Sequence, residues 1–123
     1  MFYTCELCGN MVAMVIDNGG PLSCCGQEMD VLTPNTVDAS NEKHVPVATR
    51  TEDGITVSIG SVAHPMEDKH YISFVYVITK DGGHRKILGA GAEPKVDFLL
   101  KKEEEVTMVF AYCNLHGLWM CEL

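Results

Sequence analysis

Ile55, Val57 and Ile59 alternate with Thr56, Ser58 and Gly60. An apolar residue at every second position turns one face of an extended chain to a core and the other to water, so this stretch predicts a half-buried strand. Val96, Phe98 and Leu100 repeat the pattern, as do Val106, Met108, Phe110 and Tyr112. Tyr71 to Ile78 is apolar on both faces and predicts a central strand covered on each side. Leu118 to Leu123 predicts a closing strand, and Asp81-Gly82-Gly83 a turn. No segment carries a convincing amphipathic helical repeat. Short strands separated by turn signals predict an antiparallel β-sandwich of immunoglobulin-like type over residues 37–123.

The first third of the chain has a different character. Met11 to Ile16 predicts a short strand and Asp17-Asn18-Gly19-Gly20-Pro21 a turn, but the stretch is dominated by cysteine. Four of the six cysteines precede residue 26, and none lies between Cys25 and Cys113. Residues 1–36 therefore predict a separate knuckle module, with Pro34-Asn35-Thr36 as the linker. A module of this size buries too little apolar surface to hold itself together and needs a staple.

Cys5-x-x-Cys8, followed by Gly9, places two thiolates on one metal, and Cys24 with Cys25 completes a tetrahedral sulfur set. The second pair is adjacent, and neighbouring residues of an extended chain point in opposite directions. Both thiols reach one metal only if the backbone bends sharply there, which Gly26 assists. Four cysteines suit zinc or iron equally. A disulfide pair and a thioredoxin-like redox motif are weaker readings, the latter because no βαβ pattern surrounds Cys5-x-x-Cys8.

Composition narrows the setting. The 123 residues carry 17 acidic against nine basic side chains, a net charge of −8, which argues against a nucleic-acid partner. No apolar run reaches the roughly 18 residues of a membrane span. The start of the chain has no basic region followed by an apolar stretch, so a cytoplasmic location is expected. In that compartment, cysteines point to metal or redox chemistry rather than a disulfide framework.

Candidate donors recur in the second part. His44 lies in Glu42-Lys43-His44-Val45-Pro46, His64 in His64-Pro65-Met66, and His70 just before the Tyr71 strand. Cys113-x-x-His116 follows another strand and can wrap one metal through a short turn. All fall at strand ends or loops, where sites on a sandwich are built. Taken singly, each histidine also fits a surface or hydrogen-bonded residue, and spacing alone does not assemble them. His84 reads as a solvent-facing histidine, Cys121 as a half-buried strand thiol, and Glu103-Glu104-Glu105 as a solvated turn.

Four stretches, in order and nearly end to end, resemble the desulfoferrodoxins, the two-iron class of superoxide reductase. They are Cys5-x-x-Cys8 with Cys24-Cys25; Glu42-Lys43-His44-Val45-Pro46; His64-Pro65-Met66-x-x-Lys69-His70-Tyr71; and Tyr112-Cys113-Asn114-x-His116-Gly117-x-Trp119. The resemblance implies a desulforedoxin-like domain, residues 1–36, whose Cys5, Cys8, Cys24 and Cys25 hold one iron. It implies a second, catalytic iron in the immunoglobulin-like domain, with His44, His64, His70 and His116 in a plane and Cys113 axial. Glu42 and Lys43 match the family's mobile pair beside the open position. A rubredoxin-like electron donor and a homodimer are further implications.

The implied reaction is one-electron reduction of superoxide to hydrogen peroxide. Five protein donors leave one position open, imidazoles suit iron, and a thiolate opposite the open position donates electron density. Backbone amides near Asn114 to His116 are expected to tune the sulfur. Lys43 would supply local positive charge for an anionic substrate, and Glu42 a hard oxygen donor for the ferric state. A rubredoxin-like electron-transfer protein, a structural zinc module and a superoxide dismutase are the competing readings.

Overall fold

The computed structural model describes all 123 residues, which divide into two compact units, Met1–Thr33 and Pro34–Leu123. The first is built from strands β1 (Phe2–Thr4), β2 (Met11–Ala13), β3 (Ser23–Cys24), β4 (Gln27–Glu28) and β5 (Asp30–Val31). β1 lies between β2 and β5 in an antiparallel sheet, and β3 and β4 form a hairpin. The predicted strand from Met11 stops at Ala13, because Val15 and Ile16 find no cover and stand exposed. Phe2, Cys5 and Met29 alone are buried. At about 1.5–3 kcal/mol for a fully buried large apolar side chain, so few cannot offset the ordering of some thirty residues.

The second unit holds one helical turn, α1 (Asn41–His44), and seven strands. They are β6 (Pro46–Arg50), β7 (Gly54–Ile59), β8 (Ile72–Thr79), β9 (Gly82–Ile87), β10 (Lys95–Leu99), β11 (Val106–Cys113) and β12 (Gly117–Glu122). They form two antiparallel sheets, ordered β10-β7-β6 and β12-β11-β8-β9. Ile55, Val57 and Ile59 of β7 face Val75 and Val77 of β8, Val96 and Phe98 of β10, and Val109, Ala111 and Cys113 of β11 in one buried cluster. The alternation read from the sequence is therefore the inner face of a sandwich. On the outer face of β8, Phe74 is also buried and stacks on Tyr112 at 5.7 Å between ring centroids, as a strand covered on both sides requires.

Residues 34–36, expected as the linker, bond to the second unit: Asn35 N–H donates to Leu118 O and the Asn35 carboxamide brackets the Met120 backbone. Strands β6 and β9 were not predicted: β6 leaves Val47, Thr49 and Arg50 exposed, and β9 begins with the glycines expected as a turn. Nor is the Glu103–Glu105 run merely solvated. Glu104 accepts from Thr79 Oγ1 at 2.9 Å and from His84 Nε2 at 2.7 Å, while Arg50 donates to the carbonyls of Glu104 and Lys101. His84, expected to face solvent, thus ties its hairpin to this loop and holds the Glu104 carboxyl down at about 2.

Candidate metal centres

In the first unit, Cys5 follows β1 and Cys8 closes the turn back toward β2. Gly9 N–H donates to Cys5 O and Cys5 N–H to Asn10 O, each at 2.9 Å, which fixes the loop. Gly9 adopts φ +79°, a conformation that costs glycine little. At the second pair the predicted bend is present: Cys25 (φ +54°) and Gly26 (φ +77°) are consecutive left-handed residues. That reversal turns both adjacent thiols to the same side, 3.9 Å apart. Cys8 and Cys24 sulfurs are 3.5 Å apart, and all four sulfurs lie within 4.8 Å of one another. Four thiolates around one metal at roughly 2.3 Å stand about 3.8 Å apart, so the cluster fits a tetrahedral ion. No cysteine is paired as a disulfide.

Crowding drives the thiols' proton affinities apart. Backbone N–H groups of Cys8 and Leu7 lower Cys5 to about 7, whereas Cys24, hydrogen-bonded to Cys8 and Cys5, is pushed up to about 12. Asn10 adds two contacts that sequence reading did not find: its N–H donates to Cys8 Sγ at 3.4 Å and its side-chain amide approaches Cys24 Sγ at 3.9 Å.

In the second unit, four loops deliver the other donors. His44 ends α1, which stops because Pro46 disfavours helical backbone at the residue before it; Val45 is extended. His44 Nδ1–H donates to Ser40 O at 2.6 Å, turning Nε2 inward. His64 follows the loop after β7, where Val62 N–H reaches Glu42 O at 2.8 Å. A Cβ on Gly60 would come within 2.6 Å of that same Glu42 carbonyl, so only glycine lets the His64 loop pack against α1. His64 Nδ1–H donates to Pro65 O at 2.7 Å, again leaving Nε2 to face inward. His70 closes a tight turn with Glu67, just before β8. Cys113 and His116 flank the β11–β12 turn, which Gly117 completes at φ +81°. Between Tyr112 and Cys113 the β8–β11 register shifts, a bulge of the kind that re-aims side chains beside sites.

The four imidazoles close into a ring in the order His44, His64, His70, His116. Successive ring centroids are 4.8, 4.6, 5.1 and 4.9 Å apart, and successive planes are nearly perpendicular. His44 Nε2 and His116 Nδ1 are 3.0 Å apart, about the separation of neighbouring nitrogens that share a metal at roughly 2.1 Å. The Cys113 sulfur is 3.8 Å from His116 Nδ1, and it lies within 4.8 Å of the donor nitrogens of His44, His64 and His70. His64 Nε2 and His70 Nε2 are buried without a hydrogen-bond partner. Such orphans are costly unless a bound group satisfies them. Burial also lowers His44 and takes His64 to about 4, so both stay neutral with a lone pair available at physiological pH. Imidazoles with one thiolate suit iron.

Glu42 and Lys43 lie in α1 directly before His44, both exposed, with the Glu42 carboxyl held down chiefly by its own backbone N–H. Cys121 is half-buried against the core, as expected, and belongs to neither cluster. The amide of Asn114, expected near the sulfur, instead donates to Tyr71 O at 3.1 Å. Sequence reading did not single out Trp119 as a support for the ligands. Its indole N–H donates to His116 O at 3.2 Å, and its buried ring packs on His44 at 4.8 Å. The only signal was its place in the motif that follows His116.

Comparison with known proteins agrees with both donor sets. Residues 1–32 match the family model of the desulfoferrodoxin N-terminal domain, and residues 36–122 that of desulfoferrodoxin. The desulfoferrodoxin of Syntrophotalea carbinolica is 49% identical over 120 residues, spanning 98% of this chain and 94% of that protein. Among solved structures, the superoxide reductase from Treponema pallidum is similar with a TM-score of 0.83 at 34% identity, covering 98% of this chain and 97% of its own. A superoxide reductase from Giardia intestinalis (1Fe-SOR) covers 67% of this chain and 99% of its own, with a TM-score of 0.54 at 33% identity. Matched in both units and along nearly its whole length, the chain belongs to the desulfoferrodoxin family.

Proposed function

We propose that this protein is a superoxide reductase. The observation that carries the reading is the closed ring of four imidazoles beside the Cys113 thiol, with two buried ring nitrogens unpartnered. His44, His64, His70, His116 and Cys113 would hold the catalytic iron, and Cys5, Cys8, Cys24 and Cys25 the other. An iron held there would supply the one electron by which superoxide, with two protons, is reduced to hydrogen peroxide. The protein keeps His44 and His64 neutral by burial and orients them through their bonds to the Ser40 and Pro65 carbonyls, and Cys113 would add a sulfur donor. A saturated four-sulfur site has no open position, so an iron there would serve electron transfer or the cohesion of its unit.

Lys43 and Glu42 act at the edge of this site. The chain as a whole is acidic, so attraction of an anion must be local, and it fades beyond about 8 Å at physiological salt. Lys43→Ala should slow the bimolecular reaction with superoxide and flatten its salt dependence. Glu42, a carboxylate at neutral pH, would be a donor for the ferric state, and Glu42→Ala should alter the ferric spectrum and its pH dependence. The resemblance to the family further supports a homodimer, a rubredoxin-like electron donor, an immunoglobulin-like sandwich and a cytoplasmic setting. No helix is long and apolar enough to cross a membrane.

The deciding experiment pairs elemental analysis of anaerobically purified protein with rapid kinetics. About two irons per chain, and one peroxide per superoxide with consumption of a reductant, are expected. Zinc alone would make the chain a structural module. Catalytic loss of superoxide with no reductant consumed would make it a dismutase.

A further inference from the structure

His44 and His64 each have a ring N–H fixed on a backbone carbonyl, but His70 is held through the chain on either side of it. Two peptide groups flank His70, and they expose four polar groups. His70 N–H and His70 O pair with the Glu67 backbone at 3.1 and 2.8 Å. The other two go to a single side chain: Asn114 Nδ2 donates to Lys69 O at 3.0 Å, and Asn114 Oδ1 accepts from Tyr71 N–H at 2.9 Å. The Asn114 backbone N–H adds a third bond to Tyr71 O at 3.1 Å. Asn114 is covalently next to Cys113 and two residues before His116.

We propose that Asn114 is the positioning residue that sets where His70 stands relative to the Cys113 sulfur, its carboxamide locking both peptides around His70 to the Cys113–His116 turn. The inference rests on the reading of this cluster as an iron site. A carboxamide is required because the bracket needs one donor and one acceptor about two ångströms apart on a short stem. Aspartate keeps the acceptor for Tyr71 but loses the donor and sets a negative charge against the Lys69 carbonyl. Glutamine has both groups but carries them one methylene too far. The Glu67–His70 turn is closed by its own backbone bonds, so loss of the carboxamide frees that turn to move as a unit rather than unfolding it. With the ring of His70 otherwise unpartnered at Nε2, movement of its backbone becomes movement of a donor nitrogen.

The test uses the full iron-loaded chain as wild type, Asn114→Ala, Asn114→Asp and Asn114→Gln. Release of each iron to a ferrous chelator is followed, with the four-cysteine iron as the reference within the same molecule. The absorption band of the ferric thiolate reports the geometry at Cys113. Asn114→Ala should release the second iron on the order of 10- to 100-fold faster and shift the band, with the first iron unchanged. Asn114→Asp should fall between, and Asn114→Gln should not restore the wild-type band. The inference is overturned if Asn114→Ala keeps both the band and the release rate, or if both irons are released faster to the same degree. Wild-type protein that takes up iron only at the four cysteines would instead overturn the reading of the site itself, and this inference with it.

Discussion

In the first unit three side chains are buried, Phe2, Cys5 and Met29, and one of them is itself a member of the four-cysteine cluster. In the second, eleven buried residues form the core cluster, and Cys113 is the only metal donor among them. The two sites therefore depend on their surroundings in opposite ways. With so little buried, the order of residues 1–33 is expected to rest mostly on a metal at the four cysteines. The sandwich is ordered by its own core, and it presents four histidines and a thiol already gathered. Where metal makes the fold, the local loops must carry the geometry. Where the fold makes the site, supports such as Ser40, Pro65 and Trp119 carry it.

The sharpest way to break this contrast is to strip the metal with a strong chelator and record amide spectra. Residues 1–33 should lose their dispersed signals while residues 34–123 keep theirs. Structural zinc in comparable small modules contributes about 10–16 kcal/mol, well beyond the stability such a module could hold alone. If both units collapse, or neither does, the distinction is wrong.

Next in size is Cys113→Ala, which removes the thiolate but leaves the eleven-residue cluster nearly full. Superoxide reduction should fall by on the order of 10²–10³-fold in rapid kinetics, while the spectrum of the first iron is unchanged. A rate within twofold of wild type would show that the thiolate is dispensable.

Trp119→Phe is expected to act more gently. It keeps an aromatic ring against His44 and deletes the N–H bonded to His116 O. Iron at the second site should be held about tenfold less tightly in chelator competition, and the second unit should lose about 1–3 kcal/mol in denaturant unfolding. An unchanged affinity would confine Trp119 to packing.

The smallest effect concerns acid. The Glu104 carboxyl is held at about 2 in the folded chain, first by His84 and then by Thr79, against an ordinary value of 4.5. A lowered carboxyl pKa stabilises the fold above the unfolded value, and that contribution disappears as pH falls from about 4.5 through about 2. The stability difference between wild type and Glu104→Gln should accordingly be constant at neutral pH and shrink across that window in the second unit. A difference independent of pH would mean that the carboxylate charge does not contribute.

Much of this was legible in the residues. Alternation placed β7, β10 and β11 because a strand with one dry face must repeat every two residues. The bend at Cys24-Cys25 was legible because two adjacent thiols can share a metal only through a reversed backbone, and Gly26 stood ready for it. β6 and β9 were not legible, since edge strands with exposed side chains carry no such repeat. The His84–Glu104 contact was hidden because twenty residues separate partners that meet only when β9 and the 101–105 loop fold together.

By itself, the sequence determined which donors exist and in what order, the alternating pattern that makes a sandwich, and the local geometry of the cysteine loops. Cys5 to Cys8 and Cys24 to Cys25 are short-range pairs, so turn chemistry alone nearly places them. Only the tertiary structure decided that His44 meets His116 across seventy-two residues, which nitrogen of each ring faces inward, and which side chains brace them. Those facts depend on strand pairing and register, which bring four distant loop ends to one edge of the sandwich. No local pattern records where a pleated chain will find its neighbour.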